Sequence, residues 1–127
     1  MTEHATGTFE PTFEPLPTDD DAWLGRMRVL KTFFGDLAGT ARAEMLSFRS
    51  DEEGSAGYVA IDRVTGELHG RKGTFVLQHS GLMDGGEPSL TVTVVPGSGT
   101  GELTGLRGTL EIVNDAGAHS YTFTYHL

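Results

Sequence analysis

The stretch that decides the fold is GSAGYVAIDRVTGELHGRKGTFVLQHSGLM, residues 54–83. Two extended runs flank the turn-forming residues 70–73, and the second run is rich in residues that favour a pleated surface. Alternation along this second run places Phe75, Leu77 and His79 on one face. The stretch therefore predicts a β-hairpin with an apolar face that carries a single histidine.

The register of this hairpin brings an acidic residue close to that histidine. If residues 70–73 form a four-residue turn, His79 lies opposite Val64, and Asp62 is its diagonal neighbour on the same face. Diagonal neighbours are within reach of each other's side chains. A bulge at Gly66 would change this register.

The rest of the chain contains six further extended segments, at residues 4–14, 26–34, 40–49, 90–95, 109–113 and 118–127. The connections between segments are a turn or one-turn helix cap at 18–21, turns at 35–39, 84–88 and 114–117, and loops at 50–55 and 97–108. Trp23 and Leu24 form a short apolar plug. Such short connections favour up-and-down neighbours, which close into a barrel or split into a sandwich. Because closure removes exposed edges, we predict one all-β domain over residues 1–127, an eight-stranded antiparallel barrel.

Alternation also predicts which side chains point into this barrel. In the second and third strands the apolar face consists of Met27, Val29, Phe33, Ala41, Ala43 and Met45, with Lys31 as its one charge. In the last strand Tyr121 and Phe123 share a face. Arg42 and Glu44 fall on the opposite, outer side. An inverted barrel, with a polar lumen and an apolar outer wall, would exchange the two sets.

Composition narrows the function classes. The 127 residues carry a formal net charge of −9 and no cysteine. So acidic a chain does not attract phosphate backbones or anionic lipid, so we expect neither nucleic acid nor membrane partners. The absence of cysteine excludes disulfides and thiolate chemistry and fits a cytoplasmic location. The N-terminal residues have no basic start and no apolar run, unlike a signal peptide.

The sequence gives no indication of a metal or another cofactor. Its five histidines occur in no HxH, HxxxH or HExxH spacing. The glycine-rich residues 97–108 have no GK[ST] ending and no following helix, so they are not a phosphate-binding loop.

Three residues are candidates for catalysis. A carboxylate beside a histidine fixes the tautomer and raises the basicity of the ring, so His79 and Asp62 are a candidate proton-transfer pair. Lys31 could bind a carboxylate or an enolate, or form a Schiff base. The structural alternatives are a core histidine with Asp62 at the surface, and a lysine whose ammonium group reaches solvent. The candidate ligand-binding residues are Tyr58, Phe75, Leu77, Tyr121, Phe123 and Glu44.

Several motifs resemble known families. Residues 66–70 with 73–75, and the pattern GTGELTGLRG at 99–108, resemble the central hairpin and late loop of allene oxide cyclase and dirigent proteins. A closer resemblance, to the bacterial domain-of-unknown-function family 3224, is carried by KTF (31–33), GDL (35–37), EML (44–46), GSAGY (54–58) and FVLQHSG (75–81). The resemblance implies an eight-stranded barrel and, from the plant relatives, a homo-oligomer. No catalytic residue carries over, because a shared barrel hosts different functions.

Three functions remain open at this stage. The barrel could bind a small apolar or amphipathic ligand, as a carrier or sensor, or it could be a cofactor-free isomerase or cyclase. It could also be a structural or assembly module with a filled interior. A cavity of about 300 Å³ or more with a few convergent polar groups would favour the first two functions. An apolar outer patch at Val59, Ile61, Val76 and Leu82 favours a homo-oligomer.

Overall fold

The computed structural model describes residues 2–18 and 23–127 and shows a closed antiparallel barrel. Its strands are β1 (Glu3–Pro15), β2 (Gly25–Gly35), β3 (Leu37–Arg49), β4 (Ala56–Leu68), β5 (Arg71–Asp84), β6 (Glu87–Val94), β7 (Arg107–Asp115) and β8 (Ala118–His126). Each strand pairs with the next, and β8 pairs with β1, which confirms the predicted fold class. Residues 19–21 of the predicted turn at 18–21 lie outside the described residues. Within the described ranges, no helix has the length and apolarity that a membrane crossing requires.

The turn of the central hairpin is shorter than predicted. His69 and Gly70 alone connect β4 to β5, both with left-handed φ angles of 48° and 81°. Such angles belong to a two-residue turn whose twist matches that of the strands, so the predicted four-residue turn is wrong. His79 consequently pairs with Ala60 rather than Val64. The shift is an even number of residues, so the same side chains stay inside the barrel.

The inward and outward faces agree with the alternation of the sequence. Phe75, Leu77 and His79 of β5 are buried, as are Tyr121 and Phe123 of β8. On β3, Arg42 and Glu44 are exposed on the outer wall. The predicted orientation of the strands is therefore confirmed, and the inverted barrel is excluded.

One half of the lumen, here called the closed half, is filled by large apolar side chains. Its members are Leu37, Val64, Leu68, Phe75, Leu77, Val94, Leu103, Leu106, Tyr121, Phe123 and Tyr125, all buried. The Phe75 and Phe123 rings are stacked with centroids 5.8 Å apart, and Tyr125 lies 5.2 Å beyond Phe123. Tight packing of this kind leaves no room for a ligand in this half.

The segment between β6 and β7 contributes to the closed half, which corrects its prediction as a simple loop. Thr100 donates its backbone N–H to the carbonyl oxygen of Thr74 at 2.8 Å, so the segment follows β5. The two chains come so close that a Cβ at Gly73 would lie 2.1 Å from the Thr100 carbonyl oxygen. A short 3₁₀ helix, Gly101–Leu103, then turns Leu103 and Leu106 into the barrel.

Trp23 does not act as the predicted apolar plug. Its side chain is 62% exposed, and its ring lies 6.3 Å from that of Phe48. Phe48 belongs to the rim of the barrel opening described below. The sequence indicated an apolar pair at 23–24 but not where its side chains lie in the fold, because strand alternation predicts side-chain direction only within strands.

Candidate functional site

The other half of the lumen, here called the open half, contains a cavity of about 730 Å³ that opens to solvent. Its walls are mainly apolar, and they include Phe9, Val29, Ala43, Met45, Ala60 and Ile112. Its mouth is bordered by exposed apolar side chains, namely Phe13, Phe48, Leu82, Met83 and Leu90. Both the size and the apolar lining are typical of small-molecule sites, which measure roughly 300–1,000 Å³.

Two titratable side chains, Lys31 and His79, form the floor of this cavity, and both contact the buried carboxylate of Asp62. The Nζ atom of Lys31 lies 2.6 Å from Oδ2 of Asp62, and Nε2 of His79 lies 3.2 Å from the same oxygen. Asp62 is fully buried and does not line the cavity, whereas Lys31 and His79 do. The predicted pair of Asp62 and His79 is thus in hydrogen-bond contact, and Lys31 joins it.

Small residues of β3 explain how Lys31 reaches Asp62. Lys31 belongs to β2 and Asp62 to β4, so β3 lies between them. The partner of Lys31 on β3 is Ala41, and the partner of Asp62 is Ala43. Because these alanines extend only a methyl group into the barrel, the long lysine side chain can cross β3. The pairing register of β2, β3 and β4, together with the small side chains of Ala41 and Ala43, therefore allows the ion pair to form.

The environment of Asp62 keeps its carboxyl group ionised. Burial alone would raise the pKa of Asp62, but the hydrogen bond from His79 and the charge and hydrogen bond of Lys31 outweigh it, so its pKa is lowered. An ionised carboxylate only accepts hydrogen bonds, so Nε2 of His79 carries the proton between them. Among the described residues, no hydrogen bond engages Nδ1 of His79, and Oδ1 of Asp62 also has no partner.

Two aromatic side chains complete the surroundings of the floor. The Lys31 ammonium lies 5.7 Å from the centroid of the Phe9 ring, within the range of a cation–π contact. Tyr58 lines the cavity opposite Gly81, and a Cβ at Gly81 would come within 2.3 Å of the Tyr58 ring. Any side chain at position 81 would therefore clash with the ring of Tyr58 in its observed position. Burial raises the pKa of Tyr58, so its hydroxyl remains a hydrogen-bond donor at neutral pH.

The other predicted ligand-binding residues lie away from the cavity. Strands β5 and β8 run through both halves of the barrel. Their inward residues outside the cavity pack in the closed half, and these include Phe75, Leu77, Tyr121 and Phe123. Glu44 lies on the outer wall, where it is 63% exposed and 3.4 Å from Arg26. This position corrects the prediction of Glu44 as a ligand-binding residue, because the even-numbered residues of β3 face outward.

Sequence reasoning missed several residues of the cavity wall. Phe9 of β1 and His119 of β8 both line it, with ring centroids 5.1 Å apart. A usable signal was present in the size of the inward residues. Ala43, Ala60 and Gly81 leave space in the open half, whereas Phe75 and Leu77 of β5 and Phe123 and Tyr125 of β8 fill the closed half.

Comparison with known proteins places the chain in a family. A sequence model described as "Protein of unknown function (DUF3224)" matches residues 5–125. The chain belongs to the DUF3224 family. A crystal structure of a DUF3224 protein of unknown function from Shewanella oneidensis MR-1 is similar over 100% of this chain and 98% of that one, with 44% identity and a TM-score of 0.95. No curated protein matches the sequence.

These comparisons support the DUF3224 assignment and the barrel. The wider likeness to allene oxide cyclase and dirigent proteins stays a prediction. The DUF3224 relative is itself a protein of unknown function, so it assigns no chemistry to this barrel.

Proposed function

We propose that this DUF3224 protein binds a small, mainly apolar molecule in the open half of its barrel. The observation that carries the proposal is the cavity of about 730 Å³, whose walls are mainly apolar and whose floor brings Lys31 and His79 together. A structural module with a filled interior would not contain a cavity of this volume, since protein interiors are otherwise close-packed. The contrast with the closed half supports a site over a packing defect.

The floor also indicates the polarity of the ligand. Lys31 and Asp62 neutralise each other, so a neutral ligand enters without adding an unpaired charge. The ammonium group of Lys31 has three N–H donors, and Asp62 accepts from one of them. A ligand with one acceptor oxygen at the end of an apolar body would satisfy a second donor. Neutral ketones, aldehydes and esters have this form.

A fluorescent ketone tests the proposal. Prodan has an apolar naphthalene body and a single carbonyl group, and its emission moves to shorter wavelength in apolar surroundings. We expect a saturable blue shift with the wild-type protein. Ala43→Phe fills the cavity from β3 and should weaken binding by about tenfold or more, which corresponds to about 1.4 kcal/mol.

The matched control for this variant is Ala38→Phe, which adds the same ring to the exposed side of β3. Binding by Ala38→Phe should equal that of wild type, and circular dichroism should show that both variants keep the barrel. The absence of saturable binding to wild type, or equal weakening by both variants, would contradict the proposal.

The predictions of a homo-oligomer and of a cytoplasmic location stay predictions. Val59 and Ile61 are 51% and 53% exposed on the outer wall of β4, which supports a contact with a second copy of the chain. Sedimentation velocity on wild type and on a Val59→Glu variant would test it. A mass of one chain for the wild type would contradict the oligomer.

A further inference from the structure

We propose that the cavity floor is a proton-transfer site for carbonyl compounds, in which Nδ1 of His79 removes a proton from the carbon beside a carbonyl group whose oxygen is bound by Lys31. The inference rests on the proposed function, because the compound must first bind in the open half. It adds the class of substrate and assigns a role to each of Lys31, Asp62 and His79.

His79 has the arrangement of a base. The ionised carboxylate of Asp62 accepts a hydrogen bond from the Nε2–H group of His79. The neutral ring therefore has its lone pair on Nδ1. The side chain lines the cavity, and no described residue uses Nδ1 as an acceptor. Asp62 is not on the cavity surface, so it acts as a positioning residue that fixes the ring and stabilises the imidazolium once it forms.

Lys31 has the arrangement of an oxygen-binding group. Its contact of 2.6 Å with Asp62 holds it as an ammonium ion, which has no lone pair for a Schiff base. Lys31 and His79 contact the same oxygen of Asp62, so a cation and a base lie side by side at the floor. A preorganised cation in a mainly apolar cavity stabilises the negative oxygen that develops when the proton leaves.

The reaction balances without an added oxidant or reductant. The bond between the α-carbon and hydrogen breaks, and its proton moves to Nδ1. The electron pair passes into the carbonyl group and gives an enolate, whose oxygen pairs with Lys31. Once the proton on Nδ1 has been replaced by one from solvent, transfer back to the same carbon gives isotope exchange. Transfer to a conjugated carbon instead moves a double bond. Isomerisation of an unsaturated carbonyl compound is the net reaction expected of such a site.

The other titratable side chains around the cavity do not share this arrangement. They are Arg49 from β3, Tyr58 from β4 and His119 from β8, while the described lining residues of β1, β6 and β7 include none. His119 lies against the Phe9 ring, and no carboxylate of the described residues is hydrogen-bonded to it. The pairing with Asp62 thus singles out His79 from the second histidine.

Deuterium exchange into 2-tetralone tests the inference. This ketone combines an apolar body with acidic hydrogens beside its carbonyl group, and NMR in D₂O follows their loss. We expect the wild-type protein to accelerate exchange saturably. His79→Gln should reduce the acceleration by about 100-fold or more, as for the loss of a general base. Lys31→Met should also reduce it, whereas His126→Gln, on the exposed face of β8, should leave it unchanged.

The dependence of exchange on ketone concentration separates catalysis from structure. Asp62→Asn should lower the exchange rate at saturating 2-tetralone, because the amide no longer stabilises the imidazolium that forms on His79. The ketone concentration at half-saturation should stay close to that of wild type, since Asp62 does not line the cavity. A merely structural Asp62 would change the stability of the protein but not the saturating exchange rate of its folded fraction.

The outcomes for the inference and for the proposed function are distinct. Saturation-transfer NMR on the same samples reports whether 2-tetralone binds. Binding with exchange at the buffer rate, or with unchanged exchange in folded His79→Gln, would overturn the proton-transfer site and leave the binding function standing. No binding to wild type would overturn both.

Discussion

The two halves of the barrel are made by the same strands but differ in what their inward side chains do. In the closed half, Phe75, Phe123 and Tyr125 fill the lumen with stacked and tilted rings. In the open half, Ala43 and Ala60 occupy inward positions, and a cavity of about 730 Å³ results. The difference shows that strand alternation sets the direction of a side chain, whereas the sizes of the inward side chains together decide whether part of the barrel is filled or contains a cavity.

The polar groups of the two halves differ in the same way. The Tyr121 hydroxyl of the closed half accepts from the Leu37 N–H at 2.9 Å and donates to the Phe34 carbonyl oxygen at 3.0 Å. In the open half, Oδ1 of Asp62 is buried without a partner among the described residues. Buried polar atoms are usually satisfied, so the unpartnered Oδ1 supports the proposed role of Asp62 beside the cavity.

The largest difference between the halves should appear in stability. Phe123→Ala removes a fully buried ring from the closed half and should lower the free energy of unfolding by about 3–5 kcal/mol. Phe13→Ala removes a ring that is 53% exposed at the cavity mouth, and its effect should stay within about 0.5 kcal/mol. Urea unfolding measures both. Losses of similar size would remove the distinction between the two halves.

The ion pair at the floor should follow next in size. Lys31→Met leaves Asp62 buried beside His79 alone, and we expect a loss of about 3 kcal/mol in the free energy of unfolding at neutral pH. The double variant Lys31→Met with Asp62→Leu should recover most of this loss, because well-packed apolar side chains often replace a buried pair without cost. Failure to recover would mean that the pair is a structural part of the core.

A smaller effect is expected from the tyrosine of the closed half. Tyr121→Phe leaves the Leu37 N–H without its acceptor and should lower the free energy of unfolding by about 1–3 kcal/mol. Tyr58→Phe is the counterpart in the open half, and its effect should stay within about 0.5 kcal/mol. Thermal or urea unfolding of the two variants compares them. A larger loss for Tyr58→Phe would reverse the assignment of structural and functional tyrosines.

The smallest expected effect is the contribution of Asp62 to acid stability. Its pKa is lowered in the folded protein, so the carboxylate stabilises the fold above its unfolded-state pKa of about 3.9. This stabilisation should be lost as the pH falls below that value and through the lower folded-state pKa. Unfolding measured against pH for wild type and Asp62→Asn should converge at low pH. A constant difference over the acid range would contradict the lowered pKa.

Much of the fold could be predicted because strand alternation is a local property of the sequence. Residues such as Phe75, Leu77 and His79 needed only a period of two to be placed inside. The proximity of Asp62 and His79 survived a wrong turn because an even shift keeps the face. The left-handed His69 was not foreseen, since few residues other than glycine adopt that conformation.

The division of the barrel into two halves could not be predicted in the same way. Leu103 and Leu106 fill one end because the segment before β7 follows β5 and folds inward, a contact between residues distant in sequence. The bridge from Lys31 to Asp62 likewise depends on the small size of β3 side chains between them. Such contacts follow from tertiary packing, which a single periodic pattern does not encode.

The open half is the part of the barrel in which we propose that a ligand binds. A ¹H–¹⁵N NMR titration of the wild-type protein with prodan would test it directly. We expect the amide signals of Tyr58, His79 and His119 to shift together and saturably, while those of Leu103 and Phe123 remain in place. Shifts confined to the closed half or to the outer wall would contradict a ligand site in the open half.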